Sequence, residues 1–234
     1  MLTRLLAIGW YAGTLAVLAL ALPAVSLVWL VTAPFDRDRL VAGRFLRYFG
    51  AMLSLVFPLW RVRFEGKLPD GPFVLAPNHR SWLDIFVLSR LPREMKWVTK
   101  AELFRVPWVG WLFHLSADIP VRRGDPASGD DALERARGLL GRGVPVVFFP
   151  EGTRSRDGHL GRFKLGAFDT AVATGVPVVP VALTGTAEGM PRHTLWIRPA
   201  SIVVRLLDAV PAAGREPAAV RDEVRARIAD ALGE

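Results

Sequence analysis

The sequence predicts a mixed α/β fold: a largely parallel central sheet flanked by helices, behind an N-terminal helical segment associated with a membrane. Three observations carry this expectation. Beyond residue 63 short β-like runs alternate with longer helical patterns, as in strand–helix–strand units whose neighbouring strands are parallel. The run "VPVVFF" at 144–149 is apolar without polar alternation, which suits a strand buried on both faces. Residues 5–35 contain no charged residue, a stretch longer than the ~20 residues a helix needs to cross a bilayer. With 234 residues the chain can build one such core but not two large ones once the membrane segment is set aside. The expected division is therefore a membrane-anchoring part at 1–63, holding two helical segments, and a catalytic-sized domain at 64–234.

In the first part, Pro23 divides the apolar run, so one tilted, kinked helix and a helical hairpin in one leaflet are both open. Arg4, the apolar run and "ALA" at 19–21 imitate a signal peptide, but the run continues well past that point. A second apolar segment at 45–60 contains Arg47 and is short for a span. Its aromatics at 45, 48, 49, 57 and 60 suit an interfacial or re-entrant helix beside the first. The formal net charge is +8. Much of it lies before residue 64, where Arg4, Arg37, Arg39, Arg44, Arg47, Arg61 and Arg63 face only Asp36 and Asp38. These arginines are interleaved with Trp10, Tyr11, Trp29, Tyr48 and Trp60, residue types that favour the headgroup layer, so membrane phospholipid is the expected partner and nucleic acid is not. If the first segment spans, the basic cluster after it places the following domain on the cytoplasmic side of the inner membrane.

In the second part, strands are expected at 73–76, 97–99, 117–121, 144–149, 176–183 and 201–207, and helices at 82–90, 129–141, 163–173 and 216–232. Three polar stretches directly follow expected strands: "PNHRSWLD", "PEGTRSRDG" and "TGTAEG". Ligands of open α/β sheets bind beyond the strand C-termini, so these loops are expected to converge on one site.

"NHRSWLD" at 78–84 can be read in two compatible ways. Ser81 and Asp84 stand at the spacing of a helix capping box. His79 and Asp84 are too far apart in angle to meet on one continuous helix. A histidine in the preceding loop, however, can fold back over the first turn and bond the carboxylate. That bond fixes the imidazole tautomer, leaving the other nitrogen free to take a proton from a hydroxyl. The chain has no cysteine and no Gly-x-Ser-x-Gly elbow, so a covalent acyl-enzyme lacks its usual signature and direct attack by a substrate hydroxyl is implied. "FFPEGTRSRDG" places Glu151, Gly152, Thr153 and Arg154 in a turn after a buried strand, where a guanidinium, a hydroxyl and loop amides can hold a phosphate. No Walker or Gly-x-Gly-x-x-Gly sequence is present. His79, His114, His159 and His193 are scattered rather than paired as helical ligands, so neither a metal nor a cofactor is expected.

Taken together these stretches resemble the glycerolipid acyltransferase family, enzymes that acylate glycerol 3-phosphate and lysophosphatidic acid. "NHRSWLD" is similar to its His-x-x-x-x-Asp motif, "FPEGTRS" to its Glu-Gly-Thr-Arg motif, and "VPVVPVAL" to its proline-centred motif. "KAELFRVPWVGWLF" at 100–113 and "ADIPVRRG" at 117–124 resemble segments of the 1-acylglycerol-3-phosphate acyltransferases. The resemblance covers residues 64–186 in order and spacing. It implies an acyltransferase in which His79 is the general base and Asp84 its partner. Lys100, Arg123, Glu151, Gly152, Thr153 and Arg154 would bind substrate, with lysophosphatidic acid as acceptor and acyl-CoA or acyl carrier protein as donor. One departure is that Ala117 and Pro120 stand where that motif has glycine and phenylalanine. Lys164, in "RFKLGAF", could be a further cation near the site or a surface lysine. The alternatives are an enzyme acylating another lysolipid or glycolipid, or a non-catalytic protein that binds anionic lipid.

Overall fold

A computed structural model describes residues 2–155, 157–192, 194 and 196–234; His193 lies outside them. The chain opens with helices α1, Leu2–Thr32, and α2, Leu40–Leu55. Then follow β1 Trp60–Glu65, β2 Val74–Pro77, α3 Leu83–Leu88, β3 Lys96–Lys100, a 3-10 turn at Ala101–Arg105, α4 Val109–Leu115 and β4 Ile119–Val121. The remainder is α5 Pro126–Gly141, β5 Val146–Val147, α6 Gly166–Thr174, β6 Val178–Thr184, α7 Thr186–Gly189, β7 Ala200–Leu206 and α8 Pro217–Leu232. One sheet runs in the order β1-β7-β6-β2-β5-β3-β4. The strands from β6 to β4 are mutually parallel, β7 runs antiparallel to β6, and β1 lies parallel to β7. This is the mixed, largely parallel sheet the sequence predicts.

Successive residues of β2 feed opposite cores because side chains alternate along a strand. Val74 and Ala76 pack with α5, α6 and α8, through residues such as Ala136, Phe168 and Val224. Leu75 packs with Leu83 and Val87 of α3 and with Ala7 and Trp10 of α1. The sheet is thus covered on both faces, as parallel strands require.

The apolar segment 45–60 is not a helix to its end. α2 stops at Leu55, and Trp60 opens β1, which pairs with β7 from Trp60↔Ala200 to Glu65↔Arg205. The boundary at 63/64 therefore falls inside a strand. "WRVRFE" is an edge strand whose first arginine is exposed while Trp60 is buried. Its basic residues resembled headgroup-layer charge, and that masked the alternation.

Pro23 sits inside α1, which is one helix long and apolar enough to cross a membrane. Ala7, Trp10, Val17, Ala21 and Val25 form its buried stripe, and the Trp10 indole donates to the Leu53 carbonyl at 2.8 Å. The other faces are as apolar: Leu15 is 70% and Leu30 67% exposed. A helix apolar on all sides yet packed along only one stripe suits a lipid surround.

Beneath α2 lies a buried polar junction. Arg47 donates to both carboxylate oxygens of Asp118, which also accept from the Trp97 amide at 3.0 Å and the Ser116 hydroxyl at 3.1 Å. Lys96, fully buried, donates to the Arg39 and Ser116 carbonyls at 2.8 and 2.7 Å and lies 3.6 Å from Glu94. Burial outweighs the nearby Arg47, Lys96 and Arg44 charges and pushes the Glu94 carboxyl up to about 7. A raised carboxyl holds its proton in the folded chain after the unfolded chain has lost it. Its contribution to stability therefore falls as pH rises from the ordinary value of 4.5 to about 7, and is level above. Glu94→Gln is expected to remove that slope and to raise the melting temperature at pH 8. Melting curves from pH 4.5 to 8 that are parallel for the two proteins would exclude this.

Candidate active site

Because the strands from β6 to β4 are parallel, their C-terminal ends share one edge of the sheet. A cavity of about 650 Å³ opens there, lined among others by His79, Lys100, Arg123, Arg154 and Arg192. Its lining also includes the apolar Val98, Leu103 and Val121, with Ala132 and Leu133 of α5.

His79 follows β2 directly. Its place is set one residue earlier by Asn78, fully buried, whose amide nitrogen donates to the Leu183 carbonyl at 3.1 Å while its oxygen accepts from the Leu183 amide at 2.7 Å. The asparagine side chain thus continues the pairing of β2 with β6 by one step. His79 Nδ1 lies 2.8 Å from Asp84 Oδ2, with the carboxylate fully buried and the histidine 8% exposed. The same oxygen accepts the Arg80 and Ser81 amides, each at 2.8 Å. Ser81 Oγ in turn accepts from the Leu83 amide at 3.1 Å and donates to the Met190 carbonyl at 2.7 Å. Capping and the His–Asp contact therefore coexist: one carboxylate closes the first turn and holds the imidazole. Nδ1 is the nitrogen turned to Asp84, which leaves Nε2 on the opposite edge of the ring. The Phe149 ring covers the imidazole with centroids 4.1 Å apart.

Glu151, expected to bind substrate, has both carboxylate oxygens engaged by the protein. Its Oε1 accepts the His79 amide at 2.8 Å and its Oε2 the Gly161 amide at 3.2 Å. It braces the loop of His79 against its own, and burial is the main cause that raises its pKa. Gly152 likewise does not offer a free amide, since its N–H donates to the Phe149 carbonyl at 2.9 Å. What the position requires is conformational: its φ of 70° is in the left-handed region that favours glycine. Thr153 lines the cavity.

Arg154 enters the cavity with its guanidinium 5.1 Å from the centre of the Trp82 ring. Burial lowers its pKa first, followed by repulsion from Arg192, with Asp84 opposing. The Arg123 pKa is also lowered by burial; Arg123 lines the cavity, as does Lys100, which lies 3.5 Å from Glu102. The neighbouring Arg122 pairs with Asp125 at 3.5 Å, whereas Arg123 makes no ion pair among the described residues and is only acted on by the charge of Glu102. Ala117, at the motif's glycine place, has φ 54°, a left-handed conformation that glycine adopts without strain.

Arg192 was not singled out in the sequence. It donates to the Arg154 and Ser155 carbonyls at 2.9 and 3.2 Å, fixing the loop backbone while facing the cavity. No local pattern marks it. The "TGTAEG" loop, expected to converge on the site, does not line the cavity. Its helix α7 packs on α3, and Met190 just beyond it braces Ser81.

The chain matches the acyltransferase family profile over residues 60–184, from the first residue of β1 to the last of β6. It is 39% identical over 85% of its length to a chloroplastic 1-acyl-sn-glycerol-3-phosphate acyltransferase of Brassica napus, of which it spans 58%. It is 35% identical over 63% of its length to a lyso-ornithine lipid O-acyltransferase of Pseudomonas aeruginosa, of which it spans 56%. The chain therefore covers less than two thirds of the length of these relatives. The crystal structure of the 1-acyl-sn-glycerophosphate acyltransferase of Thermotoga maritima superposes with a TM-score of 0.77 at 25% identity, covering 99% of this chain and 97% of that one. A buried histidine–carboxylate pair at the edge of this sheet, within a matched region that includes every expected site residue, leads to one conclusion: the chain belongs to the acyltransferase family.

Proposed function

We propose that the protein transfers a fatty acyl group from a thioester donor, acyl-CoA or acyl carrier protein, to the sn-2 hydroxyl of lysophosphatidic acid, giving phosphatidic acid. The observation that carries this reading is the His79–Asp84 pair at a cavity lined by both apolar residues and arginines. His79 Nε2 takes the hydroxyl proton while the freed oxygen attacks the thioester carbonyl carbon. As the intermediate collapses, the carbon–sulfur bond breaks and the leaving thiolate receives the proton from the imidazolium. Asp84 holds the ring orientation and stabilises the imidazolium. Lys100, Arg123 and Arg154 supply the positive charge that a phosphate-bearing acceptor needs, and the wall of Val98, Leu103, Val121 and Leu133 suits an acyl chain. Helix α1 would seat the site at a membrane, with the domain on the cytoplasmic side by its basic flank.

The similarity to a lyso-ornithine lipid acyltransferase favours a second reading, in which the acceptor is another lysolipid. A lipid-binding role without chemistry would need no histidine–carboxylate pair.

Arg154 separates the acceptors. Lysine keeps the charge but not the planar fork that makes two bonds to one phosphate. Arg154→Lys is expected to lower kcat/KM for lysophosphatidic acid by about tenfold, the equivalent of ~1.4 kcal/mol. The same lipid lacking its phosphate should be affected little, and KM for the donor should hold. Equal loss with both acceptors would assign Arg154 a structural role, through its contact with Trp82.

A further inference from the structure

A second depression, of about 720 Å³, lies beside the catalytic cavity along the loop that carries Arg154. Thr153, Arg154 and Lys164 line both, so the two share a wall there. A Cβ at Gly152 would stand 3.0 Å from Lys164 Cε and 3.1 Å from its Nζ, so the lysine lies directly over the glycine beside that shared wall. The second wall adds Arg162 and Arg221. Its carboxylates are held by the protein itself: Glu151 by the His79 and Gly161 amides, and Asp157 by the Ser155 hydroxyl and the His159 amide, each at 3.1 Å. Arg221 pairs with Asp222 at 2.7 Å. Arg162 and Lys164 make no ion pair with a carboxylate among the described residues. Two cations without an ion pair, in a depression that abuts the catalytic cavity, call for an anion that belongs to the same reaction.

Resting on the acyl-transfer reading above, we infer that this depression binds the phosphate of the donor's carrier arm, the phosphopantetheine group that coenzyme A and acyl carrier protein share. Chain length separates it from the acceptor's phosphate. In lysophosphatidic acid the phosphate stands only a few bonds from the attacked hydroxyl, so it must lie within the cavity that holds His79. In the donor a whole pantetheine separates the thioester sulfur from the phosphate. When the sulfur is at His79 that phosphate must lie outside the catalytic cavity. Lys164 stands at the wall that the two spaces share, and Arg162, which lines only the second, provides charge beyond it. Lys164 is thereby a donor ligand at the junction rather than a solvated surface residue.

Binding of deacylated probes tests this without turnover. Coenzyme A, phosphopantetheine-bearing carrier protein and pantetheine without phosphate would each be titrated into the full chain in detergent micelles by calorimetry. Wild type should bind coenzyme A, the carrier protein or both, identifying the source, and should bind pantetheine at least about tenfold more weakly, as expected for losing charge-assisted hydrogen bonds. The double variant Lys164→Gln, Arg162→Gln, with an unchanged melting temperature, should lose about tenfold for the phosphorylated probe. KM for lysophosphatidic acid should stay at its wild-type value in the single variant Arg162→Gln, since Arg162 does not line the catalytic cavity. Equal binding of pantetheine and its phosphorylated forms, or unchanged affinity in the double variant, would overturn the proposal. Charge-dependent probe binding by a wild type that fails to acylate lysophosphatidic acid would instead leave the depression standing and refute the acceptor assignment.

Discussion

His79→Ala is expected to lower kcat/KM for acyl transfer by roughly 10² to 10⁴, the range for losing a positioned general base. The fold should survive, because Asp84 Oδ2 keeps the Arg80 and Ser81 amides and Ser81 keeps its bonds to Leu83 and Met190. The His79 backbone amide and carbonyl, held by Glu151 and by the Ser155 amide, are untouched by the substitution. Free-thiol release and phosphatidic acid formation measure the rate, and a melting curve in the same micelles measures the fold. Turnover near wild type in a folded His79→Ala protein would remove the histidine from the mechanism.

The largest loss of stability is expected far from the chemistry, at Arg47. Its guanidinium is buried against Asp118 and lies 4.9 Å from the centre of the Trp97 ring. Removing one member of a buried ion pair leaves the other charge without its partner, at a cost of about 3–5 kcal/mol. Asp118 would keep only the Trp97 amide and the Ser116 hydroxyl, beside a Lys96 already engaged by two carbonyls. Arg47→Ala should therefore unfold at markedly lower denaturant concentration. The double variant Arg47→Met, Asp118→Asn should recover much of the loss, since the buried charge is then gone from both sides. Denaturant titration in micelles reads both. A loss below about 1 kcal/mol for Arg47→Ala would mean that the pair is solvated and α2 is only loosely docked.

Arg47 also shows where reading along the chain stops. Within an apolar run it looks like an interruption suited to a membrane surface; in the fold it ties α2 to Asp118, just before β4, 71 positions away. β1 leaves no clear mark in the sequence for a related reason. Its partner β7 lies 140 residues on, as in Trp60↔Ala200, and an edge strand with exposed arginines has only a weak alternation of its own.

What the sequence determined by itself is local or periodic. The α/β class follows from strand-length apolar runs alternating with helical patterns. The apolar α1 follows from the absence of charge over residues 5–35. The His79–Asp84 contact spans five positions and needs only a loop before one helical turn, so spacing and residue type suffice to suggest it. Tertiary structure alone decided which neighbours serve that pair. Asn78 reaches Leu183 and Arg192 reaches Arg154. Glu151, seemingly a substrate ligand, reaches the His79 amide from 72 positions away and is engaged as a brace. Hydrogen bonds of this kind depend on which strand ends are brought side by side. That is set by the order in which the sheet closes around its two cores, and no period or spacing along the chain encodes it.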